Sequence, residues 1–135
     1  MPVRYLLDTN TVSYIIKGRP PRVRERLLRI PMPEVGISAV TEAELRFGAM
    51  RRHDVPKLIQ AVEEFLVRVE VLAWDSQAAR QYAGLRAGLE GRGEPMGNLD
   101  LMIAAQALAE GMTLVTSDRA FGRVKGLRIA DWTRD

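Results

Sequence analysis

The chain has 135 residues, 47% hydrophobic and 27% charged, a length and balance suited to one globular domain spanning residues 1–135. It has no cysteine, which excludes disulfides and thiolate metal sites, and no apolar run long enough to cross a bilayer. The net charge is +3 with a pI of about 9.7, and seventeen of the twenty basic residues are arginine, whose planar fork suits phosphate.

Tyr5-Leu6-Leu7 is a continuous apolar run that suits a strand buried on both faces. It stops at Asp8-Thr9-Asn10, and Thr11 opens a short helix with Val12, Ile15 and Ile16 on one side. Because the chain enters a strand almost at once, no signal peptide is expected, and a cytoplasmic protein is. Gly18-Arg19-Pro20-Pro21 breaks the pattern, and a second helix is predicted over roughly 21–30, with Val23, Leu27 and Leu28 inward. Val35–Ser38 reads as a second strand. Thr41 is the expected cap of the next helix, with Glu44 at the capping-box position. His53, the only histidine, falls in a turn and is expected at the surface. A long amphipathic helix follows through Leu58, Val62, Phe65 and Leu66.

Residues 69–74 are the predicted third strand, and Asp75 the cap of a helix through Ala79, Tyr82, Leu85 and Leu89. The loop 91–98 leads into Leu99–Leu108, a segment apolar almost all round and therefore a buried helix, stopped by Gly111. Residues 112–116 form the fourth strand, Ser117-Asp118 a turn, and 127–129 a fifth strand. Strands alternating with helices predict an α/β fold: a three-layer α/β/α sandwich around a mostly parallel sheet of about five strands.

Four acids stand out by position. Asp8 follows the first strand, Glu44 lies on the helix after the second, Asp100 opens the most apolar helix, and Asp118 follows the fourth strand. Singly, each has a local explanation as a helix cap, dipole partner or turn residue. Jointly, strand ends and the helix starts after them share one edge of a parallel sheet, so the four are expected on one rim. A charge at Asp100 among Leu99, Leu101, Met102 and Ile103 is costly unless compensated. Clustered carboxylates raise each other's pKa, and a hard divalent cation relieves that; an all-oxygen site favours Mg²⁺, or Mn²⁺, over Zn²⁺. Mg²⁺ on carboxylates within a basic chain points to phosphate chemistry.

These residues, in this order, resemble a known family. Leu7-Asp8-Thr9-Asn10, the segment from Ile37 to Gly48, Asp100–Leu108, and Leu114–Asp118 with Phe121, Val124–Leu127 and Trp132 are similar to PIN-domain endoribonucleases of the VapC toxin type. The resemblance spans the chain and implies a PIN-like fold, with Asp8, Glu44, Asp100 and Asp118 as metal-binding and catalytic acids. Glu42 competes at the second position, but the Glu-Leu-Arg-Phe-Gly context selects Glu44. Asn10 and Thr116 resemble supporting polar residues near the metal. The implied activity is Mg²⁺-dependent hydrolysis of RNA by the toxin of a type II toxin–antitoxin pair. The implied partners are the RNA substrate, a small cognate antitoxin and a second copy in a homodimer, with no membrane. Two alternatives remain: a non-catalytic PIN-like module that binds RNA or a partner, and a phosphoacceptor receiver domain. The latter needs an acidic pair after the first strand and a lysine after the fifth, and has neither.

Overall fold

A computed structural model describes residues 2–134. Five strands are present: β1 (Tyr5–Leu7), β2 (Val35–Ser38), β3 (Glu70–Leu72), β4 (Thr113–Val115) and β5 (Ile129–Ala130). They form one sheet in the order β3-β2-β1-β4-β5, and every pair is parallel. Six α-helices connect them: α1 (Thr9–Lys17), α2 (Pro21–Leu28), α3 (Ala39–Arg51), α4 (Pro56–Arg68), α5 (Ser76–Gly91) and α6 (Asn98–Glu110).

The two faces of the sheet are read directly from adjacent residues. Leu7 and Val115 pack with Val12, Val23, Leu45 and Val62, from α1 to α4. Leu6 and Leu114, one residue earlier on the same strands, pack instead with Ile103, Ala104, Ala107 and Phe121, on and around α6. The period of two along a strand therefore loads both faces, which is why Leu6-Leu7 and Leu114-Val115 are apolar in succession. The result is the expected three layers. No helix among the described residues is long and apolar enough to cross a membrane.

Several boundaries differ from the sequence reading. Helix α1 begins at Thr9 rather than Thr11, because the Asp8 carboxylate accepts from the Thr11 backbone N–H and serves as the cap. Helix α2 ends at Leu28, with Arg29 as its C-terminal cap. Thr41 does not cap α3. Ser38, the last residue of β2, does so, its Oγ accepting from the Val40 N–H at 3.0 Å. Thr41 therefore lies inside the helix, fully buried, and Glu44 belongs to the second turn rather than to a capping box. Strand β3 stops at Leu72 because Trp74 turns away, its indole N–H donating to the Met102 carbonyl at 2.8 Å. Strand β5 starts two residues later than predicted, at Ile129. Asp75 caps α5, and Gly111 closes α6 in the left-handed conformation, both as expected. His53 is exposed, as predicted.

Candidate active site

Asp8 and Asp118 lie just past the carboxyl ends of β1 and β4. Asp8 extends β1: its N–H donates to the Val115 carbonyl at 3.1 Å, continuing the ladder with β4. That bond holds the carboxylate in the crevice between the two strands, 4% exposed. Burial pushes the Asp8 pKa up. Hydrogen bonds from the Thr116 hydroxyl and from Thr11 oppose the shift, and the charge on Asp118 adds to it. Thr116, buried just past β4, does a second job: its Oγ accepts from the Asp118 N–H at 3.0 Å. One hydroxyl thus ties Asp8 to the loop carrying Asp118. Asp118 is exposed, and its carboxylate accepts from the Ala120 N–H at 2.9 Å, capping the 3₁₀ turn Arg119–Arg123.

Glu44 comes from α3. Its Oε1 accepts from the Thr9 hydroxyl at 2.6 Å, a bond between residues 35 apart in sequence. The Thr9 proton goes to the carboxylate, so the Thr41 hydroxyl, 3.3 Å away, donates back to Thr9. Glu42, two residues earlier, points into a different network and pairs with Arg46 at 2.9 Å.

Asp100 is the residue on which the charges of the other three act. It occupies the first turn of α6, whose cap Gly97 offers no side chain. A carboxylate there gains from the helix dipole, which lowers a pKa. The Asp100 pKa is instead raised, first by burial and then by the charges of Glu44, Asp118 and Asp8. The loss of water and the repulsion of three carboxylates both disfavour its charged form. Capping and membership of the cluster are therefore not rival readings. Asp8 and Asp118 are caps, and the same geometry aims their charge at Asp100.

Asn10 is exposed on the first turn of α1, and no side-chain hydrogen bond joins it to the acids among the described residues. Thr9 is the polar residue that sequence reasoning does not single out. Its signal, a hydroxyl beside Asp8 in Leu-Asp-Thr-Asn, is indistinguishable locally from an ordinary helix start. Among the described residues, no three acidic or histidine side chains already converge on one metal position. The donor set nevertheless fits a hard divalent cation. It is all oxygen, it strains itself by like charge, and Asp8 and Asp100 are both held in the less ionised direction that a neighbouring cation reverses.

Valine at position 116 keeps the shape of threonine and removes the bridging hydroxyl. Thr116→Val should lower stability by about 1 kcal/mol, since the Asp118 N–H and the Asp8 carboxylate each lose a partner. Urea unfolding should show a lower midpoint at unchanged slope.

An all-parallel five-stranded sheet with Asp8 and Asp118 just past β1 and β4, and Glu44 and Asp100 on α3 and α6, has the form of a PIN domain, and the PIN domain family matches residues 5–127. The tRNA(fMet)-specific endonuclease VapC of Salmonella typhimurium is 39% identical over 131 residues, covering 96% of this chain and 98% of that protein. The protein of the same name from Shigella flexneri is 38% identical, covering 97% of this chain and 99% of the other. The crystal structure of DNA-bound VapBC from Salmonella typhimurium matches with a TM-score of 0.90 at 39% identity, over 96% of this chain and 98% of that one. VapBC2 from Rickettsia felis, bound to a DNA fragment from its promoter, matches with a TM-score of 0.88 at 31% identity, over 96% and 99% of the two chains. The chain belongs to the PIN-domain family and, within it, to the VapC ribonucleases.

Proposed function

We propose that this chain, as one nuclease domain, is a Mg²⁺-dependent endoribonuclease and the toxin of a type II toxin–antitoxin pair. The observation that carries the reading is Asp100, whose carboxyl is pushed up by burial and by Glu44, Asp118 and Asp8 together. Four acids gathered against their mutual repulsion need a reason, and a cation that handles phosphodiesters supplies one.

In this reading Asp8, Glu44, Asp100 and Asp118 hold the cation. When bound, it supplies Lewis-acid stabilisation of a phosphoryl oxygen and an activated water. The chain's own residues do the rest. The Thr11 N–H and Thr116 hydroxyl fix the Asp8 carboxylate, so one oxygen is committed to the fold. The Thr9 hydroxyl fixes one oxygen of Glu44 and leaves the other for a ligand or a water proton. Asp118, the exposed member, orients the attacking water, and Asn10 supports it from the rim. The relatives named as tRNA(fMet)-specific endonucleases make that transfer RNA the first substrate to try. The VapBC complexes support a small antitoxin as partner, with operator DNA bound by the pair. A homodimer acting in the cytoplasm completes the proposal.

Purified protein freed of its partner should cut RNA in Mg²⁺ or Mn²⁺ and stop in EDTA. Induction of the chain alone should arrest growth, and co-expression of a small neighbouring protein should relieve the arrest. Cleavage that continues unchanged in EDTA overturns the metal mechanism. Absence of cleavage in all metals would favour a non-catalytic binding module.

A further inference from the structure

Two grooves share Glu44 in their lining, and only one of them also carries cations. The first is an open apolar groove of about 480 Å³, floored by Val40 and Met102 and walled by Phe47, Trp74 and Leu99. Phe47 is 61% exposed and Leu99 48%, although both neighbour the acids: Phe47 stands one turn after Glu44, and Leu99 immediately precedes Asp100. The Trp74 ring is held in place, by its bond to the Met102 carbonyl at 2.8 Å and by an edge contact with Tyr82 at 6.0 Å. The Arg51 guanidinium sits 5.6 Å from the centre of the Phe47 ring. Glu44 also lines a second groove of about 260 Å³, whose floor includes Ile16, Leu45, Leu58 and Val62 and whose polar lining is Thr9, Ser13, Lys17 and Arg52. Lys17 and Arg52 are exposed, and Arg52 makes only a loose solvent-facing contact with Asp54, at 3.5 Å.

We propose that these grooves are the nucleotide subsites flanking the scissile bond: the Phe47–Trp74 groove takes one unpaired nucleobase, and the Lys17–Arg52 groove takes the next backbone phosphate. The inference rests on the nuclease reading of the acids and adds what holds the strand there. A phosphodiester placed at Glu44 and Asp100 has a base within a few ångströms on one side and a phosphate on the other. The surface offers an aromatic, apolar wall in the first groove and two cations in the second, in the alternation that single-stranded RNA presents. An acidic centre repels the very backbone it must cut, so flanking cations are needed to draw RNA in. Stacking on Phe47 reads only the face of a base, so this subsite selects unpaired over paired RNA before it selects sequence.

The two halves leave different signatures. Binding of a short single-stranded RNA to the uncleaving Asp8→Asn protein is measured by fluorescence anisotropy in Mg²⁺ across a salt series. In that background Phe47→Ala should weaken binding by about 5–150-fold, the range for unstacking one base, with the salt slope unchanged. An abasic oligomer of the same length should bind the parent weakly and show no effect of Phe47→Ala. Lys17→Gln with Arg52→Gln should instead reduce the slope of log K against log salt by roughly 0.7 for each phosphate no longer neutralised. Sedimentation of each variant is run in parallel. An affinity for RNA within twofold of the parent in Phe47→Ala overturns the base subsite. So does a loss of affinity accompanied by a change in assembly mass, which gives the groove to a second copy of the chain. An unchanged salt slope in the double variant overturns the phosphate subsite. A wild-type protein that neither cuts nor binds RNA removes the nuclease reading as well, whereas one that does both beside an indifferent Phe47→Ala removes the subsite alone.

Discussion

Asp8→Asn should lower RNA cleavage by at least about a hundredfold, because a carboxylate that holds the cation is worth several kcal/mol of transition-state stabilisation. The fold should survive. Asparagine caps a helix as well as aspartate does, and its carbonyl oxygen can still accept from the Thr11 N–H. The substitution also removes the cost of burying a charge, which is what pushes the Asp8 pKa up, so the melting temperature without metal should hold or rise. Expression of the variant should leave growth unimpaired. Toxicity equal to wild type at equal expression would show that the Asp8 carboxylate does not carry the activity.

Asp100→Asn should uncouple stability from function. Activity should fall by a similar factor, while the metal-free protein gains ~0.5–2 kcal/mol, the range for easing a strained functional site. The gain has a defined pH dependence. The folded-state pKa of Asp100 is raised above the ordinary 3.8. Its contribution to stability is then fully present below that value and is lost as pH rises through the folded pKa. Above the folded pKa the wild type has lost it, and asparagine, which resembles the protonated acid, has not. The advantage of the variant should therefore be largest above the folded pKa and shrink as pH falls toward 3.8. The stabilisation by Mg²⁺ should shrink too, since it follows RT ln(1 + [L]/Kd) and the variant binds the ion less tightly. Melts of both proteins in EDTA and in Mg²⁺ give all three quantities. A variant that melts lower in EDTA, yet gains as much from Mg²⁺ as wild type, would leave Asp100 as a helix-dipole residue outside the site.

What the sequence made legible has a physical pattern. The runs Tyr5–Leu7 and Thr113–Val115 announce themselves because a central strand must be apolar on both faces, and each ends at a polar residue, Asp8 or Thr116. Asp100 is legible for the opposite reason, as a charge out of place in an apolar helix. The start of α3 was obscured because Ser38 and Thr41 are both capable caps. Local sequence cannot say that β2 would bury Ser38 at the helix origin. The end of β3 depended on a bond from Trp74 to Met102, and the Thr9–Glu44 bond joins two elements with no shared local pattern. Strand ends and charges are written in neighbouring residues; hydrogen bonds between distant segments are decided only when the layers close.

The order of the strands has a consequence for synthesis. Strand β1 lies at the centre, and Tyr5 pairs with Thr113, so the first strand made must wait for nearly the last. Asp8 cannot be held in its crevice until Val115 and Thr116 have been translated and have left the ribosome. Such high contact order delays closure of the sheet until chain synthesis is almost complete. Fragments that end before β4 cannot complete the sheet around Asp8 and should therefore neither cut RNA nor arrest growth. The interval between translation and closure is a period in which a partner protein can bind the chain before the acids are in place.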